Sequence, residues 1–327
     1  MTSRKLSQMF LALAALALLS MSALAADPGT VAGPASGVVS DQKAGSVLVY
    51  NLYSSSSTNP AAENTRINIT NTNSTSGVFV HLFFVDGRTC SVADSFICLS
   101  KNQTTSLLAS DVDPDTTGFV VAVASGADGC PINWNFLIGD EYVKLASGHQ
   151  ANLGAEGISN IAPPACNAAV DSSATLLFNG VQYEALPRVL ALDSIASRAD
   201  GNDTRLIVNS LTGSLITGVN TLSSIFGLLF DELESGFSFT LSGGCQINTS
   251  LSDAFPRTTP RFGSVIPAGS TGWMKFWRTT DAPILGAAIN KNTNASATAF
   301  NGGHNLHKLT YTTTGSLTIP VFTAMCQ

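Results

Sequence analysis

Short apolar runs separated by polar turns dominate the hydrophobic pattern of this chain. Ile67 and Ile69 alternate with polar neighbours in Arg66 to Thr70, as in a strand with one buried face. Val78 to Val85 is apolar at nearly every position, which predicts a strand covered on both faces. Turn-forming stretches such as NTNSTSG and DPDTTG end these runs. The pattern therefore predicts an all-β fold of short strands.

Four landmarks occur twice, in the same order: Thr-Arg, a cysteine, Thr-Gly before an aromatic residue, and Gly-His. The cysteine precedes Thr-Gly by 28 residues in the first half and by 27 in the second, and Thr-Gly precedes Gly-His by 31 and 32. The first interval is 24 against 40, so the second half carries an insertion. This repetition predicts an internal duplication. The landmark residues are Arg66, Cys90, Gly118 and His149, then Arg205, Cys245, Gly272 and His304.

The strand lengths and the duplication together predict two tandem β-sandwich domains of immunoglobulin-like size. The sequence lacks the Cys…Trp…Cys pattern of a true immunoglobulin domain, so the strand topology stays open. The predicted boundaries are a signal peptide at 1–25, a flexible leader at 26–45, a first sandwich at 46–160, a linker at 161–171 and a second sandwich at 172–327.

The insertion in the second half carries the one helical pattern of the exported chain. Its apolar residues recur at helical spacing, which predicts a helix over about 219–234. Such a helix would pack over an open end of the sandwich or, alternatively, would bind a partner. The apolar residues are Leu222, Ile225, Phe226, Leu229 and Leu233.

The N-terminal residues have the three parts of a secretory signal peptide. Arg4 and Lys5 precede an apolar run from Met9 to Leu19, and Ala23 to Ala25 offers a small-residue cleavage site. A retained membrane anchor is disfavoured because the run is short and no second apolar span follows. The sequence therefore predicts a protein secreted to the periplasm, cell surface or medium.

Charge and composition narrow the possible partners. The net charge of −6 becomes −8 without Arg4 and Lys5, and basic clusters are absent from the sequence. Nucleic acid and anionic membrane are therefore not expected partners. Only 12% of residues are charged, so Ser, Thr and Asn must cover much of the surface.

All six cysteines lie in the exported part, and an even number in such a chain predicts three disulfides. The preferred pairing joins Cys245 to Cys326, Cys90 to Cys98 and Cys130 to Cys166. The rival pairing for the first half joins Cys90 to Cys166 and Cys98 to Cys130.

Two groups of polar residues have spacings compatible with metal binding. Asp111, Asp113 and Asp115 alternate and could present three oxygens to Ca²⁺, although Pro114 and a missing distal Glu exclude an EF-hand. The competing interpretation is an acidic turn bonded to backbone N–H groups. His304 and His307 lie in a β-forming stretch, where a spacing of three residues places side chains on opposite faces. A zinc site there is disfavoured, and a turn role is expected for His149 and His304.

No recognised catalytic motif is present in the sequence. Asp140 and Glu141 are adjacent, so a strand would point them to opposite faces, which suits glycoside hydrolysis poorly. Trp273 and Trp277 lie four residues apart on one strand face and, with Phe262 or Tyr311, could form a platform for a sugar. The competing interpretation places the tryptophans in the core.

These features favour a non-enzymatic extracellular or cell-surface protein with a structural or adhesive role. The alternative is a carbohydrate- or ligand-binding module that uses the aromatic face, and an unrecognised secreted hydrolase ranks third. The expected partners are an extracellular protein, a glycan or a second copy of the chain, with no cofactor.

Overall fold

The structure is a computed structural model that describes residues 38–294 and 301–326. The described chain is all-β, as predicted, with 53% strand and 4% helix. Its strands form five small sheets arranged as a five-bladed β-propeller, so the prediction of two tandem β-sandwich domains is wrong. We number the sheets as blades 1 to 5 in the order in which their apolar faces pack. The predicted signal peptide lies outside the described residues.

Blades 2 and 3 come from the first half of the chain. Blade 2 has the strand order β4-β3-β6-β1-β9, and blade 3 has the order β5-β2-β7-β8. The strands of blade 2 are β1 (Val47–Ser54), β3 (Val78–Asp86), β4 (Val92–Leu99), β6 (Thr117–Ser125) and β9 (Glu156–Ile158). The strands of blade 3 are β2 (Asn64–Asn71), β5 (Thr104–Leu108), β7 (Leu137–Lys144) and β8 (Gln150–Gly154).

Blades 4 and 5 come from the second half. Blade 5 has the order β16-β15-β18-β11-β21, and blade 4 has the order β17-β12-β19-β20. The strands of blade 5 are β11 (Leu186–Ala196), β15 (Ile225–Phe230), β16 (Gly236–Leu241), β18 (Thr271–Arg278) and β21 (His307–Thr312). The strands of blade 4 are β12 (Asn202–Ser210), β17 (Gln246–Ser250), β19 (Ile284–Asn292) and β20 (Gly302–Asn305).

Blade 1 also comes from the second half, and its strand order is β10-β22-β13-β14. Its strands are β10 (Ser173–Phe178), β13 (Gly213–Ser214), β14 (Gly218–Val219) and β22 (Gly315–Pro320). The helical segments are short: α1 (Ala109–Val112), a 3-10 helix (Arg198–Asp200) and α2 (Phe262–Val265).

Blades 2 and 5 repeat one strand connectivity, and so do blades 3 and 4. The central strands β1 and β11 each carry a bulge, between Tyr50 and Tyr53 and between Leu192 and Ile195. Beyond the bulge, Gly118 pairs with Tyr53 and Gly272 pairs with Ile195. The Thr-Gly landmarks therefore hold corresponding positions, as do Arg66 and Arg205 on β2 and β12.

The other two landmarks do not correspond. Cys90 lies in the turn between β3 and β4, whereas Cys245 directly precedes β17. His149 directly precedes β8, but His304 lies within β20. The cysteine and Gly-His landmarks therefore have similar spacing along the sequence but different positions in the fold.

Apolar packing joins the two halves, which is the physical reason that they are not independent sandwiches. Blade 1 packs on blade 2, and blade 2 packs on blade 3. Blade 3 packs on blade 4, and blade 4 packs on blade 5. Each first-half sheet therefore has one face against the other first-half sheet and its opposite face against a sheet of the second half.

Two of the three disulfides also cross between the halves. The prediction for Cys130 and Cys166 is confirmed. The other preferred pairs and the whole rival set are wrong, because both assumed bridges within each half. The crossing bridges join Cys90 to Cys245 and Cys98 to Cys326.

The predicted helix over 219–234 is wrong, since β14 and β15 occupy this segment. Ile225 and Leu229 point into the core while Phe226 and Leu228 point outward, so both faces of the strand are apolar. A run that is apolar on both faces matches helical spacing by coincidence. Residues 38–45 of the predicted leader are also ordered against the sheets through pairing of Ser40 with Gly157.

Candidate functional site

The outer face of blade 5, directed away from blade 4, carries a row of half-buried apolar side chains. Phe226, Leu228 and Phe230 alternate along β15. Phe230 pairs with Trp273 of β18, and their rings stack at 4.0 Å with an interplanar angle of 8°. None of these four side chains belongs to the four buried apolar clusters of the described chain. We call Phe226, Leu228, Phe230, Trp273 and Lys275 the blade 5 face.

The corresponding face of blade 2 is completely buried. The pair Val85 and Phe119 corresponds to Phe230 and Trp273, because each pair lies one residue beyond the paired glycine. Both residues are fully buried, and they pack in one cluster with the inward side chains of blade 1. Those blade 1 side chains are Ala174, Leu176, Phe178, Leu317 and Ile319. The same sheet position is therefore covered in blade 2 and half-exposed in blade 5.

An acidic turn with an apolar tip adjoins the blade 5 face. The turn joins β15 to β16, and Leu233 at its tip is 86% exposed. Asp231 Oδ1 accepts hydrogen bonds from the backbone N–H groups of Leu233 and Ser235, at 2.9 and 2.8 Å. Glu232 Oε1 accepts from the backbone N–H of Thr271 at 2.6 Å. These bonds hold the turn against the start of β18.

The predicted platform of two tryptophans is not formed. Trp277 is only 1% exposed, and Phe262 is also buried, in the cluster between blades 4 and 5. Trp273 stacks on Phe230 and is half-buried. Of the aromatic residues proposed for sugar stacking, Trp273 and the half-buried Tyr311 are the accessible ones.

A cleft of about 440 Å³ lies where the bulge of β11 meets blade 4. Asp193 and Ser194 form the bulge, and Ser194 has a φ of 50°, which is rare for a residue other than glycine. Strained backbone of this kind is often found at functional sites. Most of the cleft surface is apolar, and polar side chains lie among the lining residues: Asp193, Ser194, Asn202, Thr204, Asn290 and His304.

The corresponding bulge of β1 is filled. Asn51 and Leu52 stand there in place of Asp193 and Ser194, and both are fully buried. Leu52 packs with apolar residues of blades 3 and 4, and its N–H donates to Glu141 Oε1 at 3.1 Å. The strands β1 and β11 therefore carry equivalent bulges, and the bulge of β1 is buried whereas the bulge of β11 is open.

His304 and His307 lie on the same side of the molecule, at the mouth of this cleft. β20 ends at Asn305 and β21 begins at His307, and the intervening Leu306 is buried. Because the chain changes sheets between them, the two imidazole rings lie 6.0 Å apart. The expectation of opposite faces is wrong, since it assumed one continuous strand.

Asp193 lies between these two histidines. Its Oδ1 is 3.4 Å from His307 Nε2 and 3.9 Å from His304 Nε2. A second depression beside the cleft is shared by these residues and by Asp41, Asn305 and Lys308. Asp193 was not among the site residues predicted from the sequence, and its position at the bulge is the signal that identifies it.

Two buried ion pairs lie beside this region. Lys308 Nζ is 2.7 Å from Glu156 Oε1, and it joins β21 of blade 5 to β9 of blade 2. Burial raises the pKa of Glu156 to about 7, although Lys308 opposes the shift. A second pair joins Lys43 to Glu184. These pairs bind elements of the fold together.

The three aspartates proposed for calcium do not converge on one point. Asp113 Oδ2 accepts from Tyr53 O–H at 2.5 Å, and Asp115 Oδ1 accepts from Ser57 N–H at 2.7 Å. Asp111 is exposed on α1. Asp115 accepts from a backbone N–H group, as the acidic-turn interpretation expects, whereas the donor to Asp113 is a tyrosine hydroxyl.

The adjacent carboxylates Asp140 and Glu141 have separate surroundings. Asp140 Oδ2 accepts from Asn68 Nδ2 at 2.8 Å, while Glu141 is fully buried. Burial raises the pKa of Glu141. His149 is also buried, and its Nε2 donates to the Asp203 carbonyl at 2.8 Å, so it holds a structural position.

Comparison with known proteins finds little similarity to this chain. No protein-family model matches the chain, and no curated protein matches it. Among solved structures, a crystal structure of Thermotoga maritima 1070 covers 35% of this chain and 93% of its own, at 8% identity and a TM-score of 0.26. This similarity supports no statement about function.

The three disulfides and the β-propeller fold give information about the compartment and the broad role of the protein. Three disulfides are typical of proteins in oxidising, extracytoplasmic compartments. Within 38–294 and 301–326, no helix has the length and apolar character needed to cross a membrane. The disulfide-bonded propeller is compatible with a secreted binding or non-enzymatic protein.

Proposed function

We propose that this protein is a secreted, non-enzymatic structural protein that associates with a second copy of itself through the blade 5 face. The observation that carries the proposal is the difference between corresponding sheet positions. Val85 and Phe119 are buried beneath blade 1, whereas Phe230 and Trp273 stay half-exposed. Burial of such side chains contributes about 25 cal/mol per Å² of apolar surface, which favours a covered state.

Charge complementarity favours a second copy as the cover. Lys275 lies in the middle of the blade 5 face, opposite Leu228 in the strand pairing. The turn at the edge of the same face carries Asp231, Glu232 and Glu234. Two copies related by a two-fold axis would bring the acidic turn of each copy to the Lys275 of the other. Such a self-complementary patch is what a two-fold interface requires.

Leu233 supports the same arrangement. It is 86% exposed at the tip of the turn, where a large apolar side chain gains nothing in an isolated molecule. In the paired arrangement, each Leu233 would enter the aromatic face of the other copy. Aromatic and apolar anchors of this kind dominate the energy of protein interfaces.

Sedimentation velocity over a range of protein concentrations tests this function. The wild type should form a concentration-dependent dimer, and Leu233→Asp should remain monomeric with an unchanged circular dichroism spectrum. Val181→Asp is the matched control, because Val181 is 68% exposed in the connection between β10 and β11 and does not belong to the blade 5 face. A wild type that stays monomeric at every concentration would overturn self-association, and glycan or protein partners would then have to be tested.

The open bulge supports a second candidate function, the binding of a small polar ligand. Thr204 Oγ1 donates to Asn290 Oδ1 at 3.1 Å, and Asn290 Nδ2 donates to Asn202 Oδ1 at 2.9 Å. These bonds fix a polar cleft wall opposite Asp193 and Ser194. A glycan array compares wild type with Thr204→Val, which removes a hydroxyl at nearly constant shape. Loss of array binding in this variant alone would support the cleft as a ligand site.

A further inference from the structure

We infer that Asp193, His304 and His307 form a binding site for a divalent transition-metal ion, with Zn²⁺ as the fitting probe. This inference is independent of the proposed self-association, because the three residues do not belong to the blade 5 face. It rests on the geometry of three side chains from three strands: β11, β20 and β21.

The donor atoms already have separations close to those of a coordination shell. In a tetrahedral zinc site, bonds of about 2.0–2.2 Å place donor atoms about 3.3–3.6 Å apart. His307 Nε2 and Asp193 Oδ1 are 3.4 Å apart, and His304 Nε2 is 3.9 Å from the same oxygen. The described residues hold no ready-made group of three or more such ligands. Ion binding therefore requires the side chains to move, including an approach of the His304 ring to Asp193 by about half an ångström. All three side chains are about half exposed, which permits this movement.

The tautomer of His304 favours metal binding. Its Nδ1 lies 3.0 Å from the backbone carbonyl oxygen of Asn305. A carbonyl oxygen only accepts, so Nδ1 donates the proton and the Nε2 of the neutral ring keeps its lone pair. This nitrogen lies 3.9 Å from the Asp193 oxygen, and a metal ion between the two atoms would satisfy both acceptors. Histidines that bind metals are commonly oriented by such a bond from the second ring nitrogen.

The polypeptide fixes where these side chains meet. His304 is held by β20 and His307 by β21, and the buried Leu306 anchors the short connection between them. Asp193 projects from the bulge of β11. In blade 2 the corresponding bulge residue is Asn51, whose side chain is buried in a polar network. The carboxylate and the histidines therefore come together only at the open bulge.

The donor atoms of the three side chains determine which class of metal ion would bind. Two imidazole nitrogens and one carboxylate suit Zn²⁺, Ni²⁺ or Cu²⁺, whereas Ca²⁺ and Mg²⁺ prefer oxygen ligands alone. With three protein ligands, a zinc ion keeps a fourth position open to water or to another ligand. The ion would lie at the shared edge of the two depressions.

Isothermal titration calorimetry with Zn²⁺, on protein purified without a polyhistidine tag, tests the site. The wild type should bind one ion per chain, and His304→Gln, His307→Gln and Asp193→Asn should each weaken binding by at least about tenfold. Asp111→Asn is the matched control, since Asp111 is an exposed aspartate on α1. It should bind like the wild type, and a parallel titration with Ca²⁺ should show no binding that depends on these residues.

Nitrogen-15 NMR of the histidine side chains adds a readout that does not depend on affinity. Zn²⁺ should shift the Nε2 signals of His304 and His307, while the buried His81 and His149 serve as internal references. The inference is overturned if the wild type does not bind Zn²⁺, or if the double variant His304→Gln/His307→Gln binds it equally well. It is also overturned if the Nε2 signals of His304 and His307 do not move.

Discussion

Trp273 lies in blade 5 at the position that Phe119 occupies in blade 2. Each follows the glycine that pairs across the bulge of the central strand, and each faces the outer side of its sheet. Phe119 is fully buried beneath blade 1, whereas Trp273 is half-exposed and stacks on Phe230. The same sheet position is therefore fully buried in one half of the chain and half-buried in the other.

Glu156 should make stability depend on pH. Its pKa is raised from 4.5 to about 7, because burial disfavours the charged form. Between these values the folded protein holds the proton more tightly than the unfolded chain, so the free energy of unfolding falls as pH rises through this window. The loss should reach about 3 kcal/mol. Urea denaturation at several pH values should show this slope in wild type and its reduction in Glu156→Gln. Parallel profiles for the two proteins would contradict the assignment.

Asn209 should stabilise the junction between blades 2 and 4. Its Nδ2 donates to the backbone oxygen and to the side-chain Oδ1 of Asn51, at 2.8 and 3.1 Å, and its Oδ1 accepts from Gln246 Nε2 at 2.8 Å. Asn209→Ala leaves buried polar groups without partners, which should lower the free energy of unfolding by about 1–3 kcal/mol. Chemical denaturation measures this change. A loss below about 0.5 kcal/mol, the usual range for surface substitutions, would show that the network is dispensable.

Substitution of Gly227 distinguishes a strand from a helix in the segment for which the sequence pattern wrongly predicted a helix. A Cβ at Gly227 would lie 2.2 Å from Cζ of Phe239 on the neighbouring strand. Gly227→Ala should therefore destabilise the protein by about 1–3 kcal/mol through overpacking. In a helix, the same change would stabilise the protein by up to about 1 kcal/mol. The sign of the change in melting temperature decides between the two structures.

The sequence predicted local structure better than long-range arrangement. The alternation of Ile67 and Ile69 correctly predicted buried positions on β2, because period-two patterning reflects one strand and its own sheet. The Cys90–Cys245 bridge was missed because the spacing of cysteines along the chain does not show how the two halves pack on each other. The site around Asp193 was missed for a related reason. Its partners come from strands more than a hundred residues away along the chain, at a bulge that periodicity does not reveal.

In the proposed dimer, two copies meet through the blade 5 face, with Lys275 of each copy against the acidic turn of the other. A charge exchange tests this pairing most directly. Lys275→Glu and Glu234→Lys should each weaken the dimer, because each places like charges at the interface. The double variant carries both changes and restores opposite charges in a two-fold dimer.

Sedimentation equilibrium gives the dimer dissociation constant of all four proteins. Each single variant should raise this constant by at least about tenfold, and the double variant should return to within about threefold of wild type. If the double variant is as weak as the two single effects combined, or if the single variants dimerise as the wild type does, the proposed interface is contradicted.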